Sequence, residues 1–146
     1  MKIVVAIDSE ASAKSALDFI SAAKYPSETE IHLIHVIVPG FADVAVQGIP
    51  DVVGQERKEE QELLNRVAAE IKQQTNDSVS TEILYGETAT VIADACKKFG
   101  ADQVLVPSHH RHGFSRFWFG SVADEIVDAA PCTAVVLKLP AKEQSK

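Results

Sequence analysis

None of the seven glycines in this 146-residue chain is followed by lysine, and neither GxGxxG nor GxSxG occurs anywhere. The Walker-type phosphate loop, the dinucleotide fingerprint and the hydrolase nucleophile elbow are therefore all missing, and an ordinary NTPase or hydrolase has nothing to stand on. Cysteine is scarce: Cys96 and Cys132 have no CxxC partner and no nearby Cys/His grouping. That excludes a disulfide framework or a zinc-ribbon pattern and reads both as reduced, buried small residues. Long apolar runs are lacking too. The stretch from Ile3 to Ile7 is stopped by Asp8, too short for a signal-peptide core or a membrane span, so the chain reads as cytoplasmic. Positive charge is in deficit, with 14 Lys and Arg against 21 Asp and Glu and a net charge of -7. That argues against general nucleic-acid binding, which needs a broad basic face.

What is present is ordinary globular material, 46% hydrophobic and 24% charged. A chain of this size reads as one domain, residues 1–146, burying roughly 70% of the surface its unfolded form exposes. Five apolar runs alternate with four stretches of helical period, the signature of an α/β fold with a parallel sheet and crossover helices. The strands read as Lys2 to Asp8, Glu30 to Val38, Ser78 to Leu84, Gln103 to Pro107 and Thr133 to Leu139. The first and fourth are continuous aliphatic runs and belong at the sheet centre, covered on both faces. The third alternates Val79, Thr81 and Ile83 with Ser78, Ser80 and Glu82, as a half-exposed edge does.

Helices follow from period and punctuation. Ser12 to Lys24 lines up Ala13, Ala16, Leu17, Ile20 and Ala23 and stops before Pro26. Gly54 to Thr75 turns Leu64, Val67, Ala68 and Ile71 inward beneath a solvated charged face. Thr88 to Phe99 ends at Gly100, a residue suited to the left-handed helix end, and Ser121 to Ala130 is closed by Pro131. The connection from Pro39 to Val53 has no helical period and reads either as a binding lid or as an insertion.

In open parallel sheets ligands bind outside the carboxyl ends of the strands, where strand order reverses. This edge receives Asp8, His35 to Pro39, Tyr85-Gly86 and the segment Pro107 to Ser121. That segment holds three of the five histidines, three of the six phenylalanines, the only tryptophan and two arginines, with no acid. It is a basic island on an acidic protein. Gly120-Ser121 opens the last helix, whose unpaired N–H groups favour an anion, and Arg111 and Arg116 can fork onto a phosphate. The competing reading is a capped helix beside solvated arginines. Asp8 likewise serves either a ligand or the start of the first helix. His109, His110 and His112 are dense in imidazole, but neighbouring loop residues point apart and no carboxylate or cysteine joins them, so no metal is expected. His32 and His35, three apart on one strand, face opposite sides and are not a pair. Phe114, Phe117, Trp118 and Phe119 read as packing.

These residues resemble the universal stress protein family over essentially the whole length. VVAIDSEASAKSAL looks like that family's first strand, Asp and helix, and HLIHVIVP like its second strand. GADQVLVPSHHRHGFSRFWFGSVADEIVDAAPCTAVVLKL is similar to its strand, loop, helix, Ala-Pro-Cys turn and final strand. The resemblance implies a five-stranded parallel sheet in the order 3-2-1-4-5 with helices on both faces, a Rossmann-like open sandwich. It also implies a dimer through the last strand and, in one branch, an ATP or AMP site. That branch carries Gly-x2-Gly-x9-Gly-Ser/Thr after the fourth strand, where this chain has Pro107, His110, Gly120 and Ser121. The helix-start half survives and both upstream glycines are gone, removing one N–H and adding a bulky side chain on the phosphate approach.

The basic segment and the resemblance together give Asp8, Val36, His110, Arg111, Gly113, Gly120, Ser121 and Val122 as the candidate ligand-binding set, with His110 standing where the family's motif has glycine and Arg111 read from the segment's own charge. Either this chain lies in the branch that does not hold ATP, or His and Arg side chains replace the lost backbone contacts for another anion or a shorter nucleotide. The expectation is a non-enzymatic regulatory or stress-response protein, the alternative an ATP- or AMP-binding member with weak hydrolase or phosphotransfer activity. In the implied order the last strand, Ala134 to Leu139, is an apolar edge, and pairing with a two-fold mate covers it.

Overall fold

A strand built only of aliphatic residues has no face to give to water, and this requirement arranges the molecule. The computed structural model describes residues 1–39, 51–75, 77–108 and 121–139. Within them run β1 (Lys2–Ala6), α1 (Glu10–Ala23), β2 (Glu30–Ile37), α2 (Asp51–Gln74), β3 (Ser78–Tyr85), α3 (Thr88–Phe99), β4 (Gln103–Ser108), α4 (Ser121–Ala129) and β5 (Thr133–Lys138). All five strands are parallel, in the order β3-β2-β1-β4-β5. The aliphatic strands lie inside, as their sequence requires: Ile3, Val4 and Val5 of β1 and Val104, Leu105 and Val106 of β4 are all 0% exposed.

Alternation along the strands divides the core in two. Ile3, Val5, Leu33 and Leu105 pack with Ala13, Ala16 and Ile20 of α1 and Leu64, Val67 and Ile71 of α2. Val4, Ile34, Val104 and Val106 pack on the opposite face with Ile92 and Cys96 of α3 and Ala123 and Ile126 of α4. Each fully buried Val, Leu or Ile contributes about 1.5–3 kcal/mol, so the two layers together hold the sheet from both sides. β3 is the half-exposed edge. Its Val79 and Ile83 meet the α2 layer, while Ser80 and Glu82 meet His32, whose ring bonds Ser80 Oγ at 2.7 Å and Glu82 Oε2 at 3.0 Å and stacks on Phe99. His35 is on the other face, so the two histidines are separated as the strand period requires.

Element ends differ from the sequence reading by one to three residues. α1 begins at Glu10 rather than Ser12, because Ser9 and Ser12 form a capping box that starts the helix earlier. It ends with Lys24 in the left-handed conformation (φ 50°). α2 begins at Asp51, so three residues of the apparent connection are helical; residues 40–50 of that connection lie outside the described residues. β4 runs on to Ser108 and β5 ends at Lys138.

The amino edge of the sheet is tied across its width by turn residues. Glu30 N–H donates to Met1 O at 2.8 Å, Ser78 N–H to Thr29 O at 3.2 Å, Asp102 N–H to Lys2 O at 2.7 Å and Thr133 N–H to Asp102 O at 3.3 Å. Lys2 N–H returns a bond to the Asp102 carboxylate at 2.8 Å.

The fold also joins what sequence distance hides. Cys96, in the last turn of α3, and Cys132, just before β5, belong to one packed cluster with their thiols in hydrogen-bonding reach. Both are free. Burial, and then the neighbouring Cys132, push the Cys96 thiol up to about 12, and burial raises Cys132 as well. Thiolate is the reactive form, so in the native protein at pH 8 Cys96 should react with a disulfide reagent only as fast as the protein opens. Rapid titration of two thiols per chain without denaturant would contradict this.

Candidate functional site

The strand ladders part at the carboxyl edge. β1 pairs with β4 only through Val5↔Leu105, whereas β4 keeps its pairing with β5 through Ser108↔Lys138. Pro107, two residues beyond the last β1–β4 pair, has no N–H to donate. On the other side β1 stays attached to β2, since Ile7 N–H still reaches Ile34 O at 2.9 Å. β1 is also where connections turn from one side of the sheet to the other: α1 lies on one face and α4 on the opposite one. The end of the β1–β4 pairing thus falls at the reversal of strand order, the place where open parallel sheets receive ligands.

Register and alternation place one residue from each strand along that edge. Val36 pairs with Leu84, and Ser108 with Lys138. Val36 and Leu84 pack on the α3/α4 face, as do Val106 and Val136 two residues before Ser108 and Lys138. Ile7 is buried on the opposite face, so Asp8, the next residue, falls on the α3/α4 side. Continuing the β1–β2 register past Ala6↔Ile34 sets Asp8 beside Val36. The row reads Leu84, Val36, Asp8, Ser108, Lys138: two aliphatics, an acid, a hydroxyl and a cation.

Asp8 is exposed, and the start of α1 is capped by others. Ser9 Oγ accepts from Ser12 N–H at 3.1 Å, and Ser12 Oγ accepts from the N–H groups of Asp8 and Ser9 at 2.9 and 3.0 Å. Of the two readings open for Asp8, the N-cap role belongs to Ser9. On the reverse face His35 is buried and its Nδ1–H donates to Ile7 O at 2.8 Å, which fixes the residue that follows β1 against β2. Glu60 Oε2 of α2 stands 3.5 Å from the same nitrogen.

At the β3 end, Gly86 has φ 141° and bonds Ile37 O through its N–H at 3.1 Å. Glu87 then caps α3, accepting from Ala89 and Thr90 N–H. The Thr90 hydroxyl, then the two backbone donors, hold its carboxyl below the usual carboxylate range.

At the other end, Ser108 is 0% exposed and its Oγ has no hydrogen-bond partner. Among the described residues, two further buried side-chain oxygens lack one, Glu60 Oε2 and Asp124 Oδ2. Native structures leave few such atoms unpaired, each costing about 1–3 kcal/mol. Lys138 is exposed and makes no ion pair with any described residue. α4 leads from the carboxyl edge back to β5 on the same face, so its first turn, from Ser121, stands by this end of the row. The Val122 side chain packs into the core, leaving its backbone N–H as what that position offers.

Of the sequence candidates, Asp8, Val36, Val122 and the backbone of Ser121 meet at this edge. His110, Arg111, Gly113 and Gly120, with His109 and His112, lie outside the described residues. Among the described residues no group of three or more His, Cys, Asp and Glu is placed to hold a metal ion, and no helix is long and apolar enough to cross a membrane. Ser108 and Lys138 were not singled out from sequence. The available signal was parity: each falls two residues beyond an aliphatic of the α3/α4 layer.

Residues 1–138 match the model of the universal stress protein family, and the chain belongs to that family. It is 31% identical over 145 residues to Universal stress protein MJ0531 of Methanocaldococcus jannaschii, across 97% of this chain and 84% of that protein. Its fold matches the solved structure of the hypothetical protein MJ0577, with a TM-score of 0.78 at 21% identity over 96% of both chains. It also matches the universal stress protein of Archaeoglobus fulgidus solved in complex with dAMP, with a TM-score of 0.66 at 21% identity over 94% of this chain and 98% of that one.

The turn at the rim makes a clear demand on sequence. A Cβ on Gly86 would lie 2.7 Å from Val91 Cγ2, in a backbone conformation that side chains disfavour. Gly86→Ala should lower stability by about 1–3 kcal/mol. In denaturant melts, adding Val91→Ala should fail to restore the loss, since the positive φ remains.

Proposed function

We propose that this is a cytoplasmic, regulatory, non-enzymatic universal stress protein whose crevice between β1 and β4 binds an adenine nucleotide of the AMP or ATP kind. The observation that carries the reading is the meeting of the Asp8 carboxylate with the Val36 and Leu84 side chains on one face, where the β1–β4 ladder has ended. A carboxylate accepts hydrogen bonds from ribose hydroxyls or an exocyclic amine, and a row of aliphatics accepts a flat base. The dAMP complex of the Archaeoglobus relative supports a nucleotide at this fold. Pro107 and His110, in place of the glycines of the ATP-holding branch, weigh against a long phosphate chain. The lack of a P-loop or nucleophile motif supports regulation over catalysis.

The test is calorimetric titration of the intact protein with AMP, ADP and ATP, with and without Mg²⁺, alongside fluorescence of Trp118, the sole tryptophan. Asp8→Ala should weaken whichever nucleotide binds by about tenfold or more, the scale of one hydrogen bond to a charged group. No response to any nucleotide at millimolar concentration would remove the reading. Steady phosphate release from ATP would overturn the non-enzymatic part.

We further propose a homodimer formed through β5, the edge strand, whose Ala134, Val135 and Val136 are only partly covered. Val127 of α4, 53% exposed, adds apolar surface. Sedimentation at micromolar concentration should give twice the chain mass of 15.8 kDa, and Val135→Lys should give the monomer. A wild-type monomer would count against it.

A further inference from the structure

The β2–β3 side of the sheet holds three polar side chains that nucleotide binding does not use. His32, Ser80 and Glu82 share the α3/α4 face by alternation with Ile34, Val36 and Leu84. His32 lies four residues before Val36, about 13 Å along the strand from the row at the carboxyl edge. The His32 side chain is nearly enclosed, at 13% exposure, while Ser80 is exposed and Glu82 is partly so. Phe99, the last residue of α3, stacks on the imidazole with 5.0 Å between ring centroids and holds it in place.

Two hydrogen bonds decide which ring nitrogen carries the proton. Glu82 Oε2, 3.0 Å from Nε2, belongs to a carboxylate, which only accepts, so Nε2–H donates. The neutral ring then turns its Nδ1 lone pair to Ser80 Oγ at 2.7 Å, and the serine hydroxyl donates to it. A hydroxyl bonded to an imidazole that a carboxylate orients is the arrangement that activates a serine as a nucleophile. The strand itself supplies a donor for the charge that such an attack develops. Ser78 N–H bonds Thr29 O and Gly86 N–H bonds Ile37 O, so alternation turns the N–H of Thr81 away from β2, to the open edge of the sheet. Thr81 follows Ser80 directly, and the N–H of the residue after a nucleophile is a recurrent oxyanion donor.

We infer that Ser80 is a site of covalent acylation, with His32 as its base and Glu82 as the residue that positions His32. Ser80 Oγ bonds to the carbonyl carbon of a small activated ester or thioester while its proton passes to His32 Nδ1. The bond from that carbon to the leaving oxygen or sulfur breaks, its electron pair departing with the leaving group, and the proton on Nδ1 goes to that group or to water. Nothing is oxidised or reduced. Ser80 stands on an open face, so the donor is selected by its reactivity rather than by a fitted pocket. The acylation takes place away from the carboxyl edge and does not depend on nucleotide binding.

Treatment of the full chain with p-nitrophenyl acetate, and separately with S-acetyl-N-acetylcysteamine, followed by peptide mass mapping, tests this. An acetyl group should appear on Ser80 ahead of the lysines. His32→Ala should slow acetylation of Ser80 about a hundredfold or more, the scale of a positioned base, and added imidazole should restore part of the rate. A variant merely weakened in its β2–β3 pairing would not respond to imidazole. Glu82→Gln should slow the reaction about tenfold or more, because the ring is then free to take the other tautomer. Acetyl groups confined to lysines and the amino terminus of the wild type, or Ser80 acetylated equally fast in His32→Ala, overturn the assignment. Acetylation of Ser80 by the nitrophenyl ester alone supports the nucleophile and limits its donors to oxygen esters. Nitrophenolate release that continues beyond a single burst and is lost in Ser80→Ala supports the nucleophile and overturns the non-enzymatic reading of the protein. Failure of every nucleotide titration removes the nucleotide site and leaves the Ser80 result standing.

Discussion

Burial of β1 and β4 on both faces is the constraint from which the rest follows. Once Ile3 to Val5 and Val104 to Val106 are sealed between two helical layers, no ligand can approach these strands from the side. Only their ends remain available. The amino ends are closed by the turn bonds around Met1, Thr29 and Asp102, so polar chemistry collects at the carboxyl ends, where helices begin and their N–H groups point outward.

Position within this edge decides what each residue does. His35 and Asp8 lie near each other in the sheet yet on opposite faces. His35 spends its Nδ1 proton on the Ile7 carbonyl, holding the strand that carries Asp8 without facing the crevice. Ser9 and Ser12 satisfy the start of α1 between themselves, so the acid beside them does not cap the helix. Capping is equally local at α3, where Glu87 is occupied by Ala89 and Thr90. Among the described residues, the starts of α1 and α3 are thus satisfied by side chains of their own first turns.

Much of the fold was legible because its causes are local. An aliphatic run such as Ile3 to Ile7 announces a central strand, the alternation of Val79 to Ile83 an edge, and Gly100 a helix end. Strand order came with the family resemblance rather than from any residue pattern. The site was legible where a single residue carries its own meaning, as Asp8 does after a strand. It was hidden where meaning arises from pairing: Ser108 and Lys138 lie thirty positions apart and become neighbours only through the β4–β5 register. The cysteines repeat the lesson, since Cys96 and Cys132 meet only because α3 ends where β5 begins. The start of α1 was misjudged by two residues because the Ser9–Ser12 exchange of hydrogen bonds is a geometric fact, written only weakly in the letters.

The bonds that fasten the amino edge give the sheet a fixed spine. With Met1, Thr29, Lys2 and Asp102 binding neighbouring strands together below, and β1 and β4 no longer bonded above Val5 and Leu105, the two halves of the sheet are joined like pages sewn along one margin. Any spreading between β1 and β4 is therefore confined to the carboxyl margin, where their ladder has ended, while the amino margin stays bonded across its width.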